Sequence, residues 1–125
     1  MSPKKILIAE DNESFLKLVL HTLGKQGYET KDCSRGDEVM AAFEEFSPDL
    51  VVLDGLLPGK DGFELAKEIR ALKTGKDIPI VMLTGVYKEA DFHKYSEEIG
   101  IDLHYDKSNF DGKEFALEIK RLLAE

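Results

Sequence analysis

Apolar positions along the chain follow two rhythms that alternate from one end to the other. Lys5 to Ala9 becomes continuously apolar after its lysine, and Leu50 to Leu53 is apolar throughout, as in strands buried on both faces. Between them Phe15, Leu16, Val19, Leu20 and Leu23 recur at helical spacing, with Gly24 and Gly27 marking the exit. Tyr28 to Cys33 mixes polar and apolar residues and predicts a strand nearer a sheet edge. Val39, Met40, Phe43 and Phe46 form a second helical stripe, which ends before Pro48.

The rhythm continues through the second half. Asp54 follows the Leu50 strand at once and opens the turn-rich stretch Gly55 to Gly62. Asp61 with Glu64 predicts a capping box before a helix that turns Leu65, Ala66, Ile69 and Leu72 inward. Ile78 to Leu83 predicts a fourth strand, ended by Thr84 and Gly85. A polar helix from about Tyr87 to Glu98 follows, with a thin apolar stripe of Tyr95 and Ile99. Ile101 to Tyr105 predicts a fifth strand, and Asp111 with Glu114 a second capping box before Phe115, Ala116, Ile119, Leu122 and Leu123.

Strict alternation of strand and helix implies an α/β fold: a parallel sheet with helices on both faces and right-handed crossovers. In such sheets ligands bind beyond the carboxyl ends of the strands, where the winding reverses. The residues to inspect are therefore Glu10 and Asp11 after the first strand, Asp54 after the third, Thr84 after the fourth, and Asp106 and Lys107 after the fifth.

Composition narrows the function without naming it. The 125 residues suit a single domain, here residues 1–125, with no linker or low-complexity tract. Nothing resembles a signal peptide, and no apolar run approaches the roughly 20 residues that cross a bilayer, so no membrane partner is expected. The lone Cys33 has no internal disulfide partner. It reads as a filler at a strand end and suits a reducing, cytoplasmic location. Acidic residues outnumber basic ones by 25 to 17, and the net charge of −8 argues against direct contact with nucleic acid.

The strand-end residues carry the candidate chemistry. Glu10, Asp11 and Asp54 would converge at one edge, where their repulsion calls for a counter-ion. Magnesium suits them, because it prefers oxygen ligands and is held by one or two carboxylates plus phosphate oxygens. The plainer reading is that these acids cap helices, and Asn12 or Asp11 can cap the first one. Lys107 and Thr84 favour the metal reading. An aspartate can act as a nucleophile and form an acyl phosphate, and the charge on the transferring group is met by a metal, a lysine and a hydroxyl.

The run Ile6-Leu-Ile-Ala-Glu-Asp-Asn12, the run Leu50-Val-Val-Leu-Asp-Gly-Leu-Leu-Pro-Gly-Lys-Asp-Gly62, the pair Thr84-Gly85 and Lys107 together resemble the receiver domains of two-component response regulators. The resemblance covers essentially the whole chain. It implies a flavodoxin-like (βα)5 fold with strand order 2-1-3-4-5, magnesium as cofactor, and phosphorylation of Asp54 by a histidine kinase or phosphotransfer protein. It further implies Asp11 as a direct metal ligand, Glu10 acting largely through water, and Asp54 and the Leu56 backbone carbonyl as the remaining protein ligands. Thr84 and Lys107 would contact the phosphoryl group, and Pro58 and Gly62 would shape the pocket. The domain would catalyse its own phosphorylation and dephosphorylation without turning over a separate substrate. It would signal to a downstream effector through the face built by the fourth strand, the helix after it, the fifth strand and the last helix.

Two positions depart from the family pattern. Ser108 stands where proline usually follows the lysine in a cis peptide, and a cis bond before a non-proline residue costs about 2.5–4 kcal/mol. The sequence leaves two forms open there: a costly cis bond, or a trans bond with a differently shaped loop. His104 stands where the family tends to place the Tyr or Phe that turns inward on activation, so His104 is the switch candidate beside Thr84.

The rival readings are weaker. A pseudo-receiver would keep the fold and bind partners without phosphate, yet the pocket side chains are all present. A phosphatase of the haloacid dehalogenase type would need an Asp-x-Asp signature, and position 56 is Leu. An FMN protein would want a Ser/Thr/Gly-rich loop after the first strand, where Glu10-Asp11-Asn12-Glu13 would repel phosphate.

Overall fold

The apolar runs become strands because a backbone buried on both faces satisfies its polar groups only in a ladder. In the computed structural model, which describes residues 2–85 and 97–123, β1 spans Lys5–Ala9, β2 Glu29–Cys33, β3 Leu50–Asp54, β4 Ile80–Thr84 and β5 Leu103–Asp106. They form one parallel five-stranded sheet in the order β2-β1-β3-β4-β5. The doubly wound, flavodoxin-like arrangement expected from the alternation is thus the one observed.

Helices α1 (Glu13–Lys25), α2 (Val39–Phe46), α3 (Gly62–Ala71) and α4 (Gly112–Leu122) cover both faces. The two-residue period of the strands divides the core into halves. Leu7, Ala9, Val51, Leu53, Ile80 and Met82 pack with Val39 and Phe43 of α2 and Leu65 and Ile69 of α3. Ile6, Ile8, Leu50, Val52, Val81 and Leu83 face the other way, against Val19 and Leu23 of α1 and Phe115 and Ile119 of α4. The mixed strand β2 lies at an edge, as its composition predicted.

Helix starts follow the caps read from the sequence. Asp61 accepts the Glu64 N–H at 2.9 Å, and Asp111 accepts those of Lys113 and Glu114. Helix α1 runs through Gly24, and the chain leaves it at Gly27, whose φ of +88° suits glycine.

Strands β4 and β5 each begin two residues later than their apolar runs. Side chains hold the chain just ahead of both strands. Arg70 at the end of α3 donates to the carbonyls of Gly75 (2.8 Å), Ile78 (2.6 Å) and Gly100 (2.7 Å), and its Nη2 lies 3.0 Å from Asp102 Oδ2. That Asp102 oxygen also accepts the Ile80 N–H at 2.8 Å. The Ile78 carbonyl and the Ile80 N–H are thus bound by side chains, while the Asp102 N–H donates to the Ile80 carbonyl at 2.9 Å. The predicted helix from Tyr87 to Glu98 lies mostly outside the described residues; at its end, residues 97–99 are helical and Ile99 packs on the core.

Candidate functional site

The winding reverses at β1, which lies between β2 and β3, so the crevice opens beyond the ends of β1 and β3. Glu10 follows β1 and is 0% exposed, although its carboxylate carries two strong acceptor oxygens. Both are engaged: Oε2 accepts the Asn12 N–H at 2.9 Å, and Oε1 lies 2.8 Å from Lys107 Nζ. Asp11 beside it is exposed and faces the same pocket.

Asp54 ends β3 and is 6% exposed. Its Oδ1 accepts the Leu56 N–H at 3.1 Å, and its Oδ2 lies 3.4 Å from Lys107 Nζ. Helix α3 begins against its backbone. A Cβ on Gly62 would lie 2.3 Å from the Asp54 carbonyl oxygen, so the close approach admits only glycine. Gly55 N–H donates to the Leu83 carbonyl at 3.0 Å, tying the turn to β4. Thr84 ends β4, is 7% exposed, and pairs in register with Asp106 on β5.

One ligand atom from each of Glu10, Asp11 and Asp54 falls within a 4.8 Å cluster. Three carboxylates around one ammonium leave excess negative charge, and burial makes it costly. Burial pushes the Glu10 carboxyl up to about 7; the Lys107 and Asn12 hydrogen bonds oppose the rise, and Asp54 adds to it. Burial alone would lower the Lys107 pKa, but Glu10 and Asp54 outweigh it and hold the ammonium above its ordinary value. The two shifts pull against each other, since a neutral Glu10 would hold Lys107 less firmly. The 2.8 Å separation fits the ion pair; burial is the main cause of the Glu10 rise, and the cluster of acids remains short of positive charge. A hard divalent cation fits this donor set, because it would supply that charge to oxygen ligands.

The site residues expected from the sequence are thus brought together: Asp11, Asp54, Leu56 and Lys107 line one pocket with Asn12 and Gly85, and Glu10 lies beneath it, bound to Lys107. His104 is half-buried in the middle of β5, paired in register with Met82. The loop after Lys107 contains no cis bond and forms a 3₁₀ turn over Lys107–Asn109. Asp106 holds it by accepting the Ser108 N–H (2.9 Å) and Oγ–H (2.6 Å). Sequence reasoning did not find the two amides that fix the carboxylates, those of Asn12 and Leu56. Each lies two residues after its acid, a spacing at which carboxylates accept local backbone N–H groups.

A sequence profile of the response regulator receiver domain matches residues 6–118. The chain belongs to that family. Over 121 residues this receiver is 37% identical to the alkaline phosphatase synthesis transcriptional regulatory protein PhoP of Bacillus subtilis, covering 96% of its own length and 48% of that protein. Over 123 residues it is 32% identical to sporulation initiation phosphotransferase F of the same species, covering 98% and 96%. Among solved structures, the receiver domain of a sensor histidine kinase from Pseudomonas aeruginosa PAO1 matches with a TM-score of 0.87 at 25% identity, over 98% of this chain and 99% of that one. That structure has a magnesium ion coordinated in its active site cleft. The receiver spans about half the length of the transcriptional regulators it matches. No helix among its described residues is long and apolar enough to cross a membrane.

Proposed function

We propose that this receiver accepts a phosphoryl group on Asp54 from a histidine kinase or phosphotransfer protein, with magnesium, and passes the signal to a downstream effector. One observation supports this most. The buried Asp54 carboxylate shares a 4.8 Å cluster with Glu10 and Asp11, and the Lys107 ammonium stands 3.4 Å away. In the transfer an Asp54 oxygen forms a bond to phosphorus while the donor's P–N bond breaks, its electron pair leaving with the imidazole. The Lys107 ammonium and the Thr84 hydroxyl meet the charge on the phosphoryl oxygens. Asp11, Asp54 and the Leu56 carbonyl would hold the magnesium, with Glu10 beneath. The ion would neutralise the charge that gathers as a phosphate approaches three acids.

The held backbone of Asp54 suits a nucleophile, because its carboxylate is fixed by the Leu56 amide before the donor arrives. With a fitting cation cluster beside it, the phosphate-free interaction module is the less favoured reading. Signalling would pass through Thr84 and His104 at β4 and β5, and the domain would act in the cytoplasm.

Incubation with acetyl phosphate and magnesium should add the mass of one phosphoryl group. Asp54→Asn should abolish it, and Asp11→Ala should raise the magnesium needed before it disturbs the fold. Label retained on the Asp54→Asn protein would remove Asp54 as acceptor.

A further inference from the structure

Lys107 is shared by more than carboxylates. Its Nζ lies 4.9 Å from the centroid of the Phe15 ring, within the range at which a ring face attracts an ammonium. The stretch that supplies two of the acids also supplies this ring. Asn12 Oδ1 accepts the Phe15 N–H at 2.9 Å, which caps α1, while the Asn12 N–H is bound to Glu10. The cap therefore fixes Phe15 relative to Glu10.

The ring is held from its other neighbours as well. Phe15 meets Phe110 edge-on at 5.2 Å and 77°. Phe110 packs against Tyr105 at 5.6 Å and Phe115 at 5.1 Å, and Phe115 is fully buried in the core. The Tyr105 hydroxyl donates to the Asp111 carbonyl at 3.2 Å and lies 3.1 Å from the Asp111 N–H. An aromatic cluster thus joins α1, β5 and α4 around the loop that carries Lys107, where no proline stiffens the chain after the lysine.

We propose that Phe15 is a positioning residue for phosphoryl transfer, its ring keeping the Lys107 ammonium within reach of Asp54. The inference rests on Asp54 being the phosphoacceptor. A lysine stem has many rotamers, and few of them place Nζ beside Asp54. The two carboxylates draw the ammonium in, and the ring narrows the positions it can take there. A leucine at position 15 would fill the space without a quadrupole to attract the charge.

The test compares wild type with Phe15→Leu, Phe15→Tyr and a protein carrying pentafluorophenylalanine at position 15, which keeps the ring but reverses its facial charge. With acetyl phosphate and saturating magnesium, Phe15→Leu should label about threefold more slowly. The fluorinated protein should be slowed likewise, and Phe15→Tyr should label near the wild-type rate. The magnesium concentration for half-maximal labelling should not move, because the ring offers no ligand. Equal rates across the series would overturn the proposal, as would a fluorinated protein that labels like wild type.

Proton resonances of the Lys107 ε-methylene give a readout that needs no phosphoryl donor. They should lie upfield in wild type and return to their ordinary position in Phe15→Leu. If wild type takes no label, the phosphoacceptor reading has failed. The ring contact is then judged on this shift, and ordinary Lys107 positions in wild type would overturn it.

Discussion

The Lys107 ammonium lies 2.8 Å from Glu10 Oε1, closer than to Asp54, which is 3.4 Å away. The only cation in contact with the three-acid cluster among the described ion pairs is thus drawn mainly to an acid that is not the proposed acceptor. Asp54 Oδ2 keeps the looser contact.

A pH dependence follows from the Glu10 carboxyl, which burial raises from 4.5 to about 7. Between those values the folded protein keeps a proton that the unfolded chain has released, so stability falls as pH rises and levels off above about 7. The fall should be on the order of 3 kcal/mol. Urea midpoints from pH 4 to 8 should show this slope in wild type and lose it in Glu10→Gln. Magnesium should flatten it in wild type by compensating the ionised cluster. Parallel slopes for the two proteins would show that Glu10 does not titrate there.

Leu56 is 57% exposed at the pocket mouth, two residues beyond Asp54. A polar side chain there could orient water in line behind the phosphorus, and leucine cannot. The phosphorylated form should therefore decay slowly, and Leu56→Asn should speed phosphate release several-fold. Val86 lies outside the described residues but stands two positions past Thr84, as Leu56 does past Asp54, so Val86→Glu should act in the same direction. Unchanged decay in both variants would remove water positioning as the cause of the lifetime.

Much of this fold was legible because strand burial shows as continuous apolar runs and helix burial as a spaced stripe. The strand ends then named Glu10, Asp11, Asp54, Thr84, Asp106 and Lys107 through topology alone. The contacts of Arg70 with Gly100 and Asp102 were not legible, since they join residues about 30 positions apart through side-chain geometry. Phe15 was hidden for a different reason: at helical spacing it looks like any core residue, and nothing in the pattern says that its ring meets an ammonium.

Phosphorylation should change amide exchange from Thr84 to Tyr105. A phosphoryl group brings charge and strong acceptors close to the Thr84 hydroxyl, and a Cβ on Gly85 would meet nothing within 4 Å, so the next residue has room to move. Exchange compared with and without beryllofluoride should differ across residues 84–105. Equal protection throughout would exclude a switch in that stretch.

Arg70→Met should destabilise the domain by about 2–3 kcal/mol, because the carbonyls of Gly75, Ile78 and Gly100 lose a charged donor together. Thermal unfolding would measure the loss. The rate of labelling by acetyl phosphate should hardly change, since Arg70 binds the segments that enter β4 and β5 while the acids lie where β1 and β3 leave. A large fall in rate at unchanged stability would contradict this division.

That guanidinium also links two parts of the receiver that lie far apart along the chain. The chain from Thr84 to Gly100 is moored at its far end by Arg70, which grips the Gly100 carbonyl with both Nε and Nη2. Such a mooring couples the end of α3 to the entry of β5, so a load on either is borne by the same guanidinium, which works as a buckle between them.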